Sequence, residues 1–453
     1  MKKKMVIIGA GSSMFTQGLV IDLLRTKPGG HEWTIALCDI DTEVLDDVTR
    51  LIRKMLQAKG DNTEIISSAD RCDVLPGADY VVSTIGVGGR RAWEQDVFIP
   101  RKYGIFQPVG DTAMPGGISR AMRMVPAMVA IVKDTKRLAP QAKFFNYSNP
   151  MAVICRALSK AVDFPVTGLC IGTIGSAWYI ADTMGYDRRR VTSLAAGINH
   201  CTFLYDYRVD GVSVIEDIRK KIGQAHFDNY DSAVNDRFHG DPVTETSMSE
   251  PFAWSFFQKY SAFPAPGDRH ITEFFTELFK GGAYYGKKLG VDAFSFEGTI
   301  AWGDKIHQDL VAMARSDQPI TDEFFARFHG EHEQLISIID SIERDQRNVY
   351  YVNLPNRGAI ANLPPWAVVE MPAVSTAHGL VPMCLNNFPN HLASFTSRFL
   401  ANIELTADAA LNGDRRLMEE AILSGGYISD RNAVRQMTDE LLKVHQADLP
   451  QFR

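Results

Sequence analysis

Apolar residues cluster along this chain in short runs that alternate with segments of helical spacing. The β-branched run Val6 to Ile8 has the length of one buried strand. Gly9 and Gly11 follow at once, and apolar residues then recur with helical spacing at Phe15, Leu19 and Leu23. Thr34 to Leu37 is apolar again, and Glu43 to Ala58 carries Val44, Val48, Leu51, Ile52 and Met55 on one helical face. A polar strand is expected over Thr63 to Ser67, and further strands over Ala78 to Gly86, Phe144 to Pro150 and Val166 to Leu169. Strands alternating with helices predict an α/β fold, a doubly wound parallel sheet of the Rossmann type. Ligands of such sheets collect at the carboxyl ends of the strands, so Gly86, Asn149 and Cys170 are expected to share one crevice.

Near residue 195 the pattern changes. Leu194 to His200, Phe203 to Arg208 and Val209 to Val212 read as strands, with an Asp-Gly turn at Asp210-Gly211. Helical stretches rich in acidic and aromatic residues come next. Strand character returns over Val349 to Ile360 and Ala367 to Val374, and the tail from Phe395 to Gln446 is helical. The expected division is a dinucleotide-binding half over residues 1–195 and a mixed α/β half over residues 196–453, with the site between them.

Composition narrows the function classes. The 453 residues carry 48 Lys plus Arg against 54 Asp plus Glu, a net charge of −6 that argues against nucleic-acid or anionic-membrane partners. The apolar run after Lys2 to Lys4 is broken by glycine and leads into strand–turn–helix, which is not the pattern of a signal peptide. Nowhere do about 18 apolar residues run together, so no membrane span is expected. Six scattered cysteines fit a reducing cytoplasm better than a disulfide framework.

The N-terminal strand–turn–helix suits a dinucleotide, because a helix N-terminus aims free N–H groups and a positive dipole end at one spot. Asp39 stands 28 residues after Gly11, at the end of the second strand. A carboxylate there accepts from ribose hydroxyls and repels a 2′-phosphate, which favours NAD over NADP; its other reading is a cap on the next helix. Met14 replaces the third glycine of the usual fingerprint. The expected cofactor contacts are Gly9, Gly11, Ser12, Ser13, Asp39, Gly86 and Asn146.

Four further clusters could carry chemistry. In Gly110 to Arg120 the glycines and Pro115 are expected to break any helix until Ile118, leaving Asp111 in a loop as a helix-start acid or a contact for a hydroxylated substrate. In Asn146 to Pro150 the proline holds Asn149 extended and frees its amide for adjacent hydroxyls, unless the stretch is only a turn. Cys170 and His200 are donors that suit a borderline divalent metal, or else a buried thiol and a hydrogen-bonded imidazole. Phe263 to Phe274 packs Asp268, Arg269, His270 and Glu273 into a loop stiffened by two prolines, either a site or an ion-paired surface turn.

Taken in chain order, several blocks resemble glycoside hydrolase family 4. They are Gly9-Ala10-Gly11-Ser12 with Asp39-Ile40-Asp41, Asp111-Thr112 ahead of Pro115 to Ile118 and Arg120, Asn146 to Pro150, and Gly168-Leu169-Cys170. Gly197-Ile198-Asn199-His200 and Val352 to Asn356 with Gly358 complete the set. The resemblance implies an NAD-dependent glycosidase outside the two-carboxylate schemes, on a fold related to lactate and malate dehydrogenases, assembled as a homodimer or homotetramer. It implies that Cys170 and His200 hold a divalent metal, usually Mn2+. The implied reaction takes hydride from sugar C3 onto NAD+, removes the C2 proton beside the metal-polarised ketone, and expels the C1 substituent. Water then adds and the hydride returns. The C2 base is implied to come from residues 263–274, where Asp268 and His270 are the candidates and His270 is favoured because imidazole titrates nearer neutrality. Asp111 joins them as a catalytic candidate, and Asp111, Asn149 and Arg269 are the expected substrate contacts.

One departure bears on substrate. Many members carry His, Asp or Asn after the metal-binding Cys, whereas this chain has Ile171, which can neither donate a proton nor bind a metal. Gly110-Asp111-Thr112 resembles the branch that acts on unphosphorylated sugars, and Gly267 to His270 is similar to uronide-type members. Arg269, or Arg90 and Arg91, could pair a carboxylate. The alternatives are a 2-hydroxyacid or sugar dehydrogenase with net hydride transfer, and a non-catalytic NAD sensor.

Overall fold

Strand β1 (Lys2–Ile8) shows how the opening pattern is used. Met5 and Ile7 enter one core and Val6 and Ile8 the other, so this strand is covered on both faces. The computed structural model describes residues 1–13, 15–223, 249–326 and 334–452, and Met14 lies outside the described residues. After β1 come α1 (Thr16–Thr26), β2 (Glu32–Cys38), α2 (Thr42–Lys59), β3 (Glu64–Ser68), α3 (Arg71–Val74), β4 (Tyr80–Ser83) and α4 (Gly89–Lys102). The helix α5 (Met114–Leu138), β5 (Lys143–Asn146), α6 (Met151–Ala161), β6 (Val166–Gly168) and α7 (Gly172–Met184) complete the first part. Strands β3-β2-β1-β4-β5-β6 are all parallel in that order, the dinucleotide-binding arrangement that the alternation predicts. Asp41 caps α2 by accepting from Glu43 and Val44 N–H, and Gly60 ends it in the left-handed region.

The remaining strands are β7 (Val191–Ile198), β8 (Cys201–Val209), β9 (Val212–Ser213), β10 (Phe263–Ala265), β11 (Ala283–Tyr284), β12 (Lys287–Lys288), β13 (Val349–Pro355), β14 (Val368–Thr376) and β15 (Gly379–Pro382). β13 pairs antiparallel with β6, and β14, β7, β8 and β10 follow, so one sheet runs on from the parallel part into antiparallel strands. β13 and β14 thereby stand between β6 and β7, two strands that are consecutive in the chain. Helices Asn390–Asn412 and Arg415–Ser424 cover one face beside α5 and α6, while Leu335–Glu343 covers the other beside α1. Among the described residues no helix is long and apolar enough to cross a membrane.

Under α4 and α5 lies a fully buried ionic cluster. Asp96 accepts from Arg123 at 2.6 and 2.9 Å, from the Ser119 hydroxyl at 2.8 Å, and meets His445 Nε2 at 3.0 Å. It ties the end of the C-terminal helix Arg431–Val444 to the body of the molecule.

Candidate active site

Three loops bring polar side chains to the carboxyl ends of the parallel strands. The first runs from Val109 to Ala113. Its glycines do not break a helix as expected: α5 already begins at Met114, with Pro115 in the first turn, where the missing N–H costs nothing. Gly116 and Gly117 are needed for close packing. A Cβ on Gly117 would lie 2.5 Å from the Thr112 carbonyl carbon, and one on Gly116 would lie 2.8 Å from the Gly110 and Asp96 oxygens. The loop is therefore pressed onto the helix, and Val109 and Gly110 N–H both donate to Glu273 at 2.8 Å. Burial pushes that carboxyl up to about 8 despite the two bonds. Gly117→Ala is expected to displace Thr112, to cost about 1–3 kcal/mol of stability in urea unfolding, and to lower turnover in the same preparation.

The second loop is the β7–β8 turn, where His200 sits at a left-handed φ of +64° and is almost fully buried. Its Nδ1 lies 2.7 Å from Thr112 Oγ1, and that hydroxyl is 2.7 Å from Asp111 Oδ1. A carboxylate only accepts, so the single Thr112 proton goes to Asp111 and the hydroxyl oxygen accepts from His200 Nδ1–H. The Nε2 lone pair is left free. Burial also holds the imidazole below its ordinary pKa, hence neutral, the form a metal requires.

The third loop is the turn after β10. The ligand atoms of Asp111, His200 and His270 all lie within 4.8 Å of one another, and the two imidazole rings are 4.2 Å apart. Burial, with His200 and Arg269 nearby, holds His270 well below its ordinary range, so the expected advantage of near-neutral titration is absent. Asp268 is the clearest correction. It is fully buried, its oxygens accept from Phe252 and Ala253 N–H at 2.8 Å and from Tyr284 OH, and it anchors the N-terminus of the helix Pro251–Tyr260. Its oxygens are thereby taken up in holding that helix end, which turns the choice of C2 base toward His270. Arg269 is buried and reaches Thr299 Oγ1 at 2.9 Å; burial lowers it to about 10, against the pull of Asp111 and Glu273. Arg90 and Arg91, in contrast, are both ion-paired to Asp304.

Asn149 Nδ2 donates to Asp111 Oδ2 at 3.1 Å, and its backbone carbonyl accepts from Arg120. Asn149 Oδ1 is buried and meets no donor among the described residues, an acceptor that a sugar hydroxyl would satisfy. Cys170 stands at the end of β6, where its sulfur accepts from Gly172 N–H at 3.3 Å, outside the converging set of Asp111, His200 and His270. Its loop nevertheless adjoins theirs, since a Cβ on Gly172 would lie 2.7 Å from Pro266 and 3.3 Å from Cys170 Sγ.

On the dinucleotide side, Gly9 has φ +87°, and a Cβ there would sit 2.8 Å from Ile85 N. Asp39 accepts from Gly11 N–H at 2.8 Å, so the acid expected to read a ribose also clamps the glycine turn. Ser12 and Ser13 follow, half-buried, and Gly86 lies exposed just beyond β4. Asn146 does not reach the crevice: it is fully buried, and its amide bonds both the N–H and the carbonyl of Ser148, shaping the strand end. In the sequence reading, Thr112 is marked only as part of a family block and not as the bridge between Asp111 and His200, and Glu370 is not marked at all. The signal for Glu370 was a lone acid within an apolar strand.

Comparisons with known proteins show the family and the fold. Residues 4–186 match the family model for the family 4 glycosyl hydrolases, and residues 195–425 match that of their C-terminal domain. The chain is 27% identical to an alpha-galactosidase of Bacillus subtilis, covering all of both chains. It is also 27% identical to an alpha-galacturonidase of the same organism over 97% of each. Its fold superposes on the crystal structure of a 6-phospho-alpha-glucosidase from gut microorganisms in complex with NAD and Mn2+, with a TM-score of 0.82, 18% identity and full coverage of both chains. With both family models matched in order along one chain, the protein belongs to family 4 of the glycosyl hydrolases and is a glycoside hydrolase.

Proposed function

We propose that the protein is an NAD+- and divalent-metal-dependent glycosidase acting on an unphosphorylated hexoside or hexuronide. The observation that carries this is the convergence of Asp111, His200 and His270 at the strand ends, in a chain whose glycine turn and Asp39 form a dinucleotide-type site. Nitrogen and carboxylate donors suit a borderline ion such as Mn2+, and the gut 6-phospho-alpha-glucosidase of the same fold binds both NAD and Mn2+. The alpha-galactosidase and alpha-galacturonidase relatives support an unphosphorylated sugar. Arg269, buried near Asp111, would suit a uronide carboxylate.

When bound, NAD+ supplies a hydride acceptor at sugar C3 and the metal ion a Lewis acid for the sugar oxygens. Gly9, Gly11, Ser12, Ser13, Asp39 and Gly86 would hold the dinucleotide. His200 and Asp111 would hold the ion, with Cys170 on the adjoining loop as a further donor. Thr112 fixes the His200 tautomer, so the ligand nitrogen carries no proton. Asn149 takes a sugar hydroxyl on its open oxygen. His270 takes the proton from sugar C2. We further infer a Rossmann half over residues 1–195 with a mixed α/β half after it, a homo-oligomeric assembly, and a cytoplasmic location, which six cysteines that form no disulfide among the described residues fit.

Turnover of aryl hexosides and hexuronides of both anomers in D2O, with NAD+, Mn2+ and reductant, tests the assignment. The expected product carries deuterium at C2, and no NADH accumulates at steady state. A product without deuterium, formed at full rate, would exclude the elimination route.

A further inference from the structure

Glu370 is an almost fully buried acid in the apolar run Val368-Val369-Glu370-Met371, and none of the chemistry above uses it. Its place in the sheet is specific. Asn353 pairs with Glu370 on one side and with Gly168 on the other, and Glu370 pairs in turn with Gly197. Gly168, Asn353, Glu370 and Gly197 therefore form one row across β6, β13, β14 and β7, about 14 Å from end to end at strand spacing. The outer members of that row stand two residues before Cys170 and three before His200.

The side chain closes the same link above the backbone. One Glu370 oxygen accepts from the hydroxyl of Thr173, in the first turn of α7 and three residues after Cys170. The other accepts from Asn199 Nδ2 and Asn353 Nδ2, both at 3.1 Å, and Asn199 directly precedes His200. Asn199 Oδ1 and Asn353 Oδ1 are buried with no donor among the described residues, so among the side-chain hydrogen bonds of those residues the carboxylate alone orients the two amides. A carboxylate withdrawn from water is strongly disfavoured unless donors converge on it. Here three do, one beside each of the two loops that must keep register and one, Asn353, from β13 between them.

We propose that Glu370 is a positioning residue for the metal site, fixing the spacing between the Cys170 loop and the His200 turn. It rests on the reading above that these loops hold the ion, and Glu370 itself touches neither ion nor sugar.

The test is Mn2+ binding to metal-free protein, followed by the electron paramagnetic resonance of free Mn2+, with NAD+ affinity measured alongside. Glu370→Gln keeps an oxygen for the two asparagines and offers its amide to Thr173, so it is expected to bind Mn2+ within about threefold of wild type, as a shape-preserving change should. Glu370→Leu is expected to bind about 10- to 100-fold more weakly, with NAD+ affinity unchanged. Thr173→Val, which removes one donor and keeps the shape, is expected to fall between. Should Glu370→Leu fail to fold, Thr173→Val decides, and wild-type binding in that variant overturns the proposal. A Gln variant as weak as the Leu variant would also overturn it, since the spacing would then be intact and only the charge lost. His200→Ala separates the two readings. Undiminished Mn2+ binding in His200→Ala removes the metal-site assignment itself. Loss there, with wild-type binding in both Glu370→Leu and Thr173→Val, removes only the role of Glu370.

Discussion

Replacing His200 by Ala is expected to lower glycoside turnover by at least about 10^3-fold while leaving NAD+ affinity within about threefold. The size follows from what the ion supplies: Lewis-acid stabilisation amounts to several kcal/mol, and each 1.36 kcal/mol is a factor of ten in rate. The selectivity follows from position, because His200 occupies the β7–β8 turn whereas the glycine turn follows β1. Thr112→Val should act in the same direction more weakly, since it leaves Nε2 in place and removes the bond that selects the tautomer. Steady-state kinetics with a Mn2+ titration reads both variants. Cys170→Ser belongs in the same series, and full metal-dependent activity in it would remove Cys170 from the ligand set.

Asp96→Ala is the substitution with the largest expected effect on stability. Asp96 and Arg123 are both fully buried and bond bidentately, so the truncation strands a guanidinium with no counter-charge. Breaking such a pair costs about 3–5 kcal/mol, which urea unfolding will register as a lower midpoint. The pH dependence has a definite sign. Burial by itself would raise the Asp96 carboxyl, but Arg123 and His445 outweigh it and hold the group below its ordinary value. A carboxyl with a depressed folded pKa contributes stability that is complete above its unfolded value, about 3.9, and is lost as pH falls through the folded value. Wild-type stability should therefore fall across the acid range below about pH 4, with a shallower fall in Asp96→Ala. An identical acid profile in the two proteins would show that the pair does not set it.

Local pattern made the parallel part of the sheet legible. Val6 to Ile8, the one-faced helix after Asp41 and the acid at Asp39 are signals carried within a few residues, and β1, α2 and the glycine turn lie where they indicate. The placement of β13 between β6 and β7 is a different kind of fact, because it pairs Gly168 with Asn353, far apart in the chain, and no local period records it. Gly116 and Gly117 look like helix breakers in the sequence, yet their role is set by how closely Thr112 and Gly110 approach the helix. The loop from Phe263 to Phe274 was recognisable as a site from its density of charge. Which way each side chain points was not, and so Asp268 anchors a helix while His270, two residues on, faces His200.

The position of β13 also sets an order of events during synthesis. A ribosome delivers β6 and, soon after it, β7, but the strands that separate them are made only once residue 376 has been translated. Until then β6 is the bare edge of a parallel sheet, with unpaired N–H and C=O groups that can template association with another chain. The Cys170 loop and the His200 turn exist throughout this interval without a common frame. Ion binding and edge closure are thus completed by one late docking event, and nascent chains released before residue 349 should aggregate and should not retain Mn2+.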